Sequence, residues 1–330
     1  MVGLIYQELL LNDYIYHNYY LKLNKLINVR LYIYIMPKNN VILDQFYTNE
    51  DVAIQCIKDF QEIYSFDDFD IILEPSAGCG NFFFNLPENK RVGVDLDPKH
   101  TDITEMDFMD YIPVENQRYI TIGNPPFGRV SSLAVKFFNK SAQFSDIIAF
   151  IIPRTFKRIS IQNQLDLRFH LVKNIDLPMK PCCFTPHMSA KCCFQIWEKR
   201  ETKREKIKLP TTHTDFDFIK FGPKDEKNQP TPPDGADFVM KAYGSNCGKT
   251  KQDGLKDLRP KSWHWIKSNI GIDKLIYRFS KLDYSISKDT VRQDSIGKAD
   301  LIFLYNNKFF SSNKNEKDEV EDIDEEDEPQ

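Results

Sequence analysis

The sequence has no C-x-x-C pair and no apolar run long enough to span a bilayer. Its one small-residue turn after a strand lacks the third glycine of a dinucleotide fingerprint, and no Lys-Ser/Thr follows that turn. Each absence removes a class of function. Without C-x-x-C the common zinc and dithiol motifs are gone. The seven cysteines are odd in number, and the adjacent pairs Cys182-Cys183 and Cys192-Cys193 point to opposite faces of a strand. No metal centre is therefore expected, and reduced thiols in a soluble intracellular protein are. The incomplete glycine pattern argues against a bound pyrophosphate. The missing apolar run, and a start with no basic n-region or small-residue cleavage site, argue against membrane anchor and secretory signal.

What is present is enough for one large domain and a smaller one: 330 residues, 41% of them apolar. The formal charge of -4 hides an asymmetry. Residues 311–330 hold ten acidic and two basic side chains, a balance of -8, so the other 310 carry about +4 (-4 minus -8). That excess is compatible with nucleic acid as a partner without requiring it. The acidic tail reads as disordered, either competing with nucleic acid for a basic surface or aiding solubility. Residues 1–35, rich in Leu, Ile, Tyr and Asn, are expected to belong to a dispensable extension (1–43), with Met36 as the working start; a helix packed on the domain is the alternative.

From Asp44 the pattern becomes that of an alternating β/α frame. Thr48 or Asn49 caps an expected helix with Val52, Ile54, Ile57 and Phe60 on one face. Ile71-Ile72-Leu73 forms a strand and runs into Glu74-Pro75-Ser76-Ala77-Gly78-Cys79-Gly80-Asn81-Phe82, a glycine turn that lets backbone approach a ligand and leads into an expected helix. A second strand, Arg91–Val94, ends in Asp95, 21 residues after Glu74, the spacing at which an acid meets a ribose diol. Asp107 and Phe108 add a further acid beside an aromatic ring. Any one of these acids alone reads as a solvated loop charge; three in one frame do not.

The most informative stretch is Tyr119–Gly128, YITIGNPPFG. It places Asn124-Pro125-Pro126-Phe127 at a strand's carboxyl end, where open parallel sheets bind ligands. The prolines stiffen the tip and donate no N–H. The Asn124 side-chain oxygen and the Pro125 carbonyl suit an amino group on a flat ring, accepting both its hydrogens while Phe127 stacks on the ring. That is the chemistry of amine methylation; a tight Asn-Pro turn after a buried strand is the alternative for this stretch taken alone. A helix capped by Ser131 or Ser132 follows, then a strand over 146–153. Arg154, Lys157 and Arg158 come next and read as a solvated helix start sooner than as phosphate contacts. A strand over 170–177 leads to an antiparallel hairpin through Phe184 and the surface turn residue His187. Residues 201–235 read as linker and loops. Residues 236–310 read as a small α+β unit with strand-like ADFVMKAYG and DLIFLYN, and with basic residues interleaved with Trp263, His264 and Trp265.

Taken together, ILEPSAGCGNF followed by NPPF resembles the S-adenosylmethionine-dependent N6-adenine DNA methyltransferases of the gamma motif order, over roughly Asp44 to Arg200. The resemblance implies, over residues 44–200, a doubly wound α/β methyltransferase sheet, Rossmann-like, closed by an antiparallel hairpin from Cys182 to Trp197. Residues 236–310 would be a small substrate-recognition domain. It further implies that Tyr47 and Thr48 fold over the cofactor, and that Glu74, Pro75, Ala77, Gly78 and Gly80 line its methionine end. Asp95 would hold its ribose, and Asp107 with Phe108 its adenine. Asn124, Pro125, Pro126 and Phe127 would be the catalytic tetrad, with Phe184 as the second face of the base sandwich. Direct in-line methyl transfer to a flipped adenine needs no metal and no covalent intermediate. At about seventy-five residues, the C-terminal unit is short for reading several base pairs. The same tetrad serves enzymes acting on adenine in RNA and on a glutamine amide, and a catalytically silent nucleic-acid-binding module is the rival from another class.

Overall fold

The computed structural model describes residues 46–310, so the expected extension over 1–43 and the acidic tail over 311–330 lie outside the described residues. The strands, in chain order, are β1 (Tyr47–Thr48), β2 (Ile71–Glu74), β3 (Arg91–Asp95), β4 (Thr104–Glu105), β5 (Tyr119–Gly123), β6 (Ser145–Pro153), β7 (Phe169–Asp176), β8 (Phe184–Thr185), β9 (Cys192–Lys199), β10 (Phe216–Phe218), β11 (Phe238–Lys241), β12 (Thr250–Lys251) and β13 (Trp263–Ser268). The α-helices are α1 (Glu50–Gln61), α2 (Ser132–Ser141), α3 (Ile159–Gln162), α4 (Ile272–Ser280) and α5 (Lys298–Phe309). None of the described helices is long and apolar enough to cross a membrane.

A seven-stranded sheet in the order β4-β3-β2-β5-β6-β9-β7 forms the main layer. Its first five strands are parallel, and β9 runs antiparallel to both β6 and β7. This is the expected doubly wound α/β sheet with an antiparallel closure. The alternation of β6 shows why its sequence is almost wholly apolar. Ile147, Ala149 and Ile151 pack with α1 residues Ala53, Cys56 and Phe60 on one face, while Ile148, Phe150 and Ile152 pack with α2 residues Ala134 and Phe138 on the other. The hairpin expected from Cys182 to Trp197 does not form; the antiparallel pair is β7 with β9. The intervening residues 177–191 leave the sheet, and β8 within them pairs instead with β1.

Two local expectations are corrected. After the glycine turn only a short 3-10 turn forms, Phe83–Asn85, before Pro87 interrupts the run. DLIFLYN is the body of helix α5 and not a strand: Leu301, Ile302 and Tyr305 fall on one helical face and are fully buried, and Asp300 accepts the Gly297 N–H at 3.2 Å to close the first turn. Helix α5 packs with α4 on a second antiparallel sheet, β10-β13-β11-β12, around Phe216, Phe238, Ile266 and Phe279. Strand β10 lies inside the stretch read as linker, where three residues amid polar, Pro-rich flanks gave little periodicity.

The basic run after β6 fastens these two layers together. Arg158 donates to the carbonyls of Ile286, Asp289 and Ser295 and to Asp300. Lys157 pairs with Asp289 and Asp176, and Lys191 with Asp294. Carbonyls and carboxylates of the chain hold Arg158 and Lys157.

Candidate active site

The strand order reverses at β2, with β3 on one side and β5 on the other, and a crevice opens beyond the carboxyl ends at such a switch point. Glu74 ends β2 and Gly123-Asn124 ends β5, so the sheet itself brings these two side chains together. Gly123 holds φ at +146°, and a Cβ there would meet Glu74 Cγ at 3.0 Å; the residue before the tetrad is glycine because the carboxylate lies against it. Ser76 Oγ donates to the Asn124 carbonyl at 3.0 Å, tying the two loops.

A third segment comes from far away in sequence. Strand β1 is recruited by its pairing with β8, Tyr47 opposite Thr185 and Thr48 opposite Phe184. Asn49, at the N-cap position of α1, spends its side chain on this junction and not on the helix. Its amide donates to the Cys182 carbonyl at 2.8 Å, and its oxygen accepts from Thr185 Oγ1 at 2.7 Å. The Tyr47 ring then lies on Gly78, where a Cβ would come within 2.8 Å of it. Asn81 secures the same strand by donating to the Thr48 carbonyl.

The result is a pocket lined by Phe46, Tyr47, Thr48, Glu74, Ser76, Ala77, Cys79, Asn81, Phe82 and Asn124. Among the described residues three buried side-chain oxygens have no hydrogen-bond partner: Thr48 Oγ1, Glu74 Oε2 and Asn124 Oδ1. All three belong to residues lining this one pocket. The Asn124 amide is held by Nδ2 donating to the Phe46 carbonyl at 3.1 Å. Flipping it would set two oxygens against each other, so Oδ1 stays the free end. Burial, and secondarily the Asp95 charge, push the Glu74 carboxyl well above the usual carboxylate range, against the pull of the Phe83 N–H.

Asp95 organises the neighbouring loop. Oδ2 accepts from the Gly78 N–H and Oδ1 from the Asp97 N–H, each at 2.8 Å, and its carbonyl accepts from the Met106 N–H. With two acceptor sites on each oxygen, capacity remains for a diol. Asp107 stands two residues past Glu105, the register partner of Asp95, and so at the same edge. Its Oδ1 accepts from the Met109 N–H at 2.9 Å as the cap of a 3-10 turn.

The aromatic expectations fare differently. Phe108 is 1% exposed and packs with Phe137 and Tyr111, so its ring belongs to the core and offers no face to a ligand. Phe184 is also buried, within the cluster against which the half-buried Phe127 packs. Phe127 alone of the three is partly open. Pro75 and Pro125 are buried beneath the loops and Pro126 is half-buried. Sequence reasoning missed Phe46, which acts through its carbonyl and has no side-chain signal. It also passed over Ser76 and Asn81, polar residues inside the quoted glycine motif whose side chains had no assigned partner. Among the described residues no cluster of His, Cys, Asp or Glu is arranged for a metal.

No protein-family model matches this chain, and no curated protein does. Among solved structures, three are similar to about half of this chain. One is a proposed RNA methyltransferase from Pyrococcus horikoshii, at 17% identity over 49% of this chain and 92% of that one, with a TM-score of 0.36. Another is the 23S rRNA methyltransferase ErmE, at 15% identity over 48% and 71%, TM-score 0.35. The third is a proposed class I S-adenosylmethionine-dependent methyltransferase from Listeria monocytogenes, at 16% identity over 52% and 66%, TM-score 0.38. At these values neither substrate nor chemistry carries over to this chain.

Proposed function

We propose that the protein transfers the methyl group of S-adenosylmethionine to the exocyclic amino nitrogen of adenine in DNA by direct in-line attack. The observation that carries this reading is the convergence of three unpartnered buried oxygens on one pocket at the sheet's switch point. Buried polar atoms are almost always paired, so such a cluster marks groups that await a ligand.

The residues present fit this cofactor. Glu74 Oε2 is a buried acceptor suited to an ammonium, and the Thr48 hydroxyl can serve either end of an amino acid. Gly78 and Gly80, at φ +50° and +85°, give the turn its left-handed backbone and let aromatic rings lie directly on it, Tyr47 on Gly78 and Phe84 on Gly80. Asp95 takes the ribose hydroxyls, and Asp107, with one oxygen engaged by its own turn, takes the adenine amino group with the other. S-adenosylmethionine supplies an electrophilic methyl group on a sulfonium.

Asn124 performs the complementary task. With Nδ2 tied to Phe46, its oxygen accepts from the target amino group, and the Pro125 carbonyl accepts the second hydrogen. Both acceptors stabilise positive charge as it develops on the nitrogen, and both are in place before reaction. Phe127 supports the ring. The test is methyl transfer from labelled S-adenosylmethionine to duplex DNA, single-stranded DNA, structured RNA and a glutamine-bearing peptide. Label recovered as N6-methyladenine in DNA, and lost in Asn124→Ala, is the expected outcome. Label in RNA or peptide alone would replace the substrate, and cofactor binding without any transfer would favour the silent module.

A further inference from the structure

Five non-glycine residues among those described hold a left-handed φ, and three are asparagine, which tolerates it. The other two are adjacent and follow the tetrad directly: Val130 at +54° and Ser131 at +63°. A β-branched residue is an outlier in that region. Val130 is nonetheless held there from both sides. Before it, the Phe127 carbonyl accepts the N–H groups of Leu133 and Ala134, and Gly128, at φ +66°, lies so close to Leu133 that a Cβ would meet it at 2.7 Å. After it, Ser131 is 1% exposed, with its hydroxyl bonded to Thr155 Oγ1 at 2.8 Å. The side chain between these anchors is 77% exposed. Single exposed aliphatic residues are ordinary. One kept exposed in a strained conformation, three residues from the group that receives the target base, is not.

We propose that Val130 is a wedge that enters the base stack as the target adenine leaves it. The inference rests on the adenine reading above. A base drawn out of a duplex leaves a gap whose walls are the flat faces of its neighbours, and an apolar side chain on a rigid turn fills that gap without competing for hydrogen bonds. The turn must be rigid, since a wedge that gives way transmits no force. The anchoring of Phe127 and Ser131 supplies that rigidity, and the positive φ turns the side chain outward instead of onto α2.

Val130→Gly separates this role from a structural one, because glycine relaxes the left-handed turn and holds or raises the melting temperature. Methyl transfer is measured on a duplex bearing the adenine that the wild-type protein methylates, with that adenine opposite thymine or opposite an abasic site. The expected result is a fall in kcat/KM of about tenfold on the paired duplex and less than about twofold on the unpaired one, where flipping costs little. 2-Aminopurine at the target position should brighten less with Val130→Gly than with wild type on the paired duplex. Equal losses on both duplexes, or no loss on either, overturn the wedge. A wild-type protein that methylates no adenine in any duplex overturns the reading of the site, and the wedge with it.

Discussion

Two polar clusters in this protein are built from similar materials and end in opposite states. Around Arg158, a guanidinium 13% exposed has its donors placed on three carbonyls and a carboxylate, and the neighbouring lysines are paired as well. Around Asn124, three buried oxygens have nothing to accept from. Saturation accounts for the first cluster as structure, and incompletion is the ground on which the second is proposed as a site. The contrast also explains why Arg158 is a poor candidate for phosphate binding despite its place in a basic run: four of its five donors are already engaged within the chain.

The contrast can be broken by mutation. Asn124→Ala should lower the rate of methyl transfer by on the order of 100- to 1,000-fold, the size of a lost oxyanion-type contact. Calorimetry should find cofactor affinity nearly unchanged, and a matching loss of affinity would move Asn124 from the reacting group to the cofactor. Arg158→Ala should do the reverse. By stranding Asp300 and three carbonyls it should cost about 3 kcal/mol in denaturant unfolding. Arg158→Lys should recover only part of that, lacking the fork. If Arg158→Ala instead abolished nucleic-acid binding at unchanged stability, the clamp would be an interface after all.

Asp95→Ala should weaken cofactor binding by about tenfold, since it removes the acceptor that orders the Gly78 N–H as well as the diol contact. The smallest effect should come from Glu74. Its carboxyl is raised by burial, so the empty protein loses stability as pH rises from the ordinary glutamate range to the folded value. A bound ammonium would draw that value down and release up to about one proton. Calorimetry of cofactor binding in buffers of different ionisation enthalpy measures this, and Glu74→Gln should abolish the release while removing the pH slope. A release unchanged in Glu74→Gln would assign the proton to another group.

Much of the fold was legible because it depends on local pattern. The strands at Ile71–Glu74, Arg91–Asp95, Tyr119–Gly123 and Ser145–Pro153 are short apolar runs bounded by turn residues, and both faces of the sheet they form are covered. DLIFLYN was misread because a run of that length is ambiguous between strand and helix, and the distinction came from burial against α4 and the small sheet. The burial of Phe108 and Phe184 is not legible for a related reason: an aromatic beside a motif has the same letters whether its ring faces a ligand or the core.

The sequence by itself determined the alternating frame, the glycine turn and the Asn-Pro-Pro-Phe tip, since each is set by backbone stereochemistry over a few residues. Only the tertiary structure decided which polar atoms were left unpaired. Phe46 and Asn124 are 78 residues apart, and Thr48 reaches the pocket through a pairing with Phe184 across a larger gap still. A hydrogen bond forms or fails within a few tenths of an ångström, and a separation of that size is fixed by how the layers pack, not by what stands next in the chain.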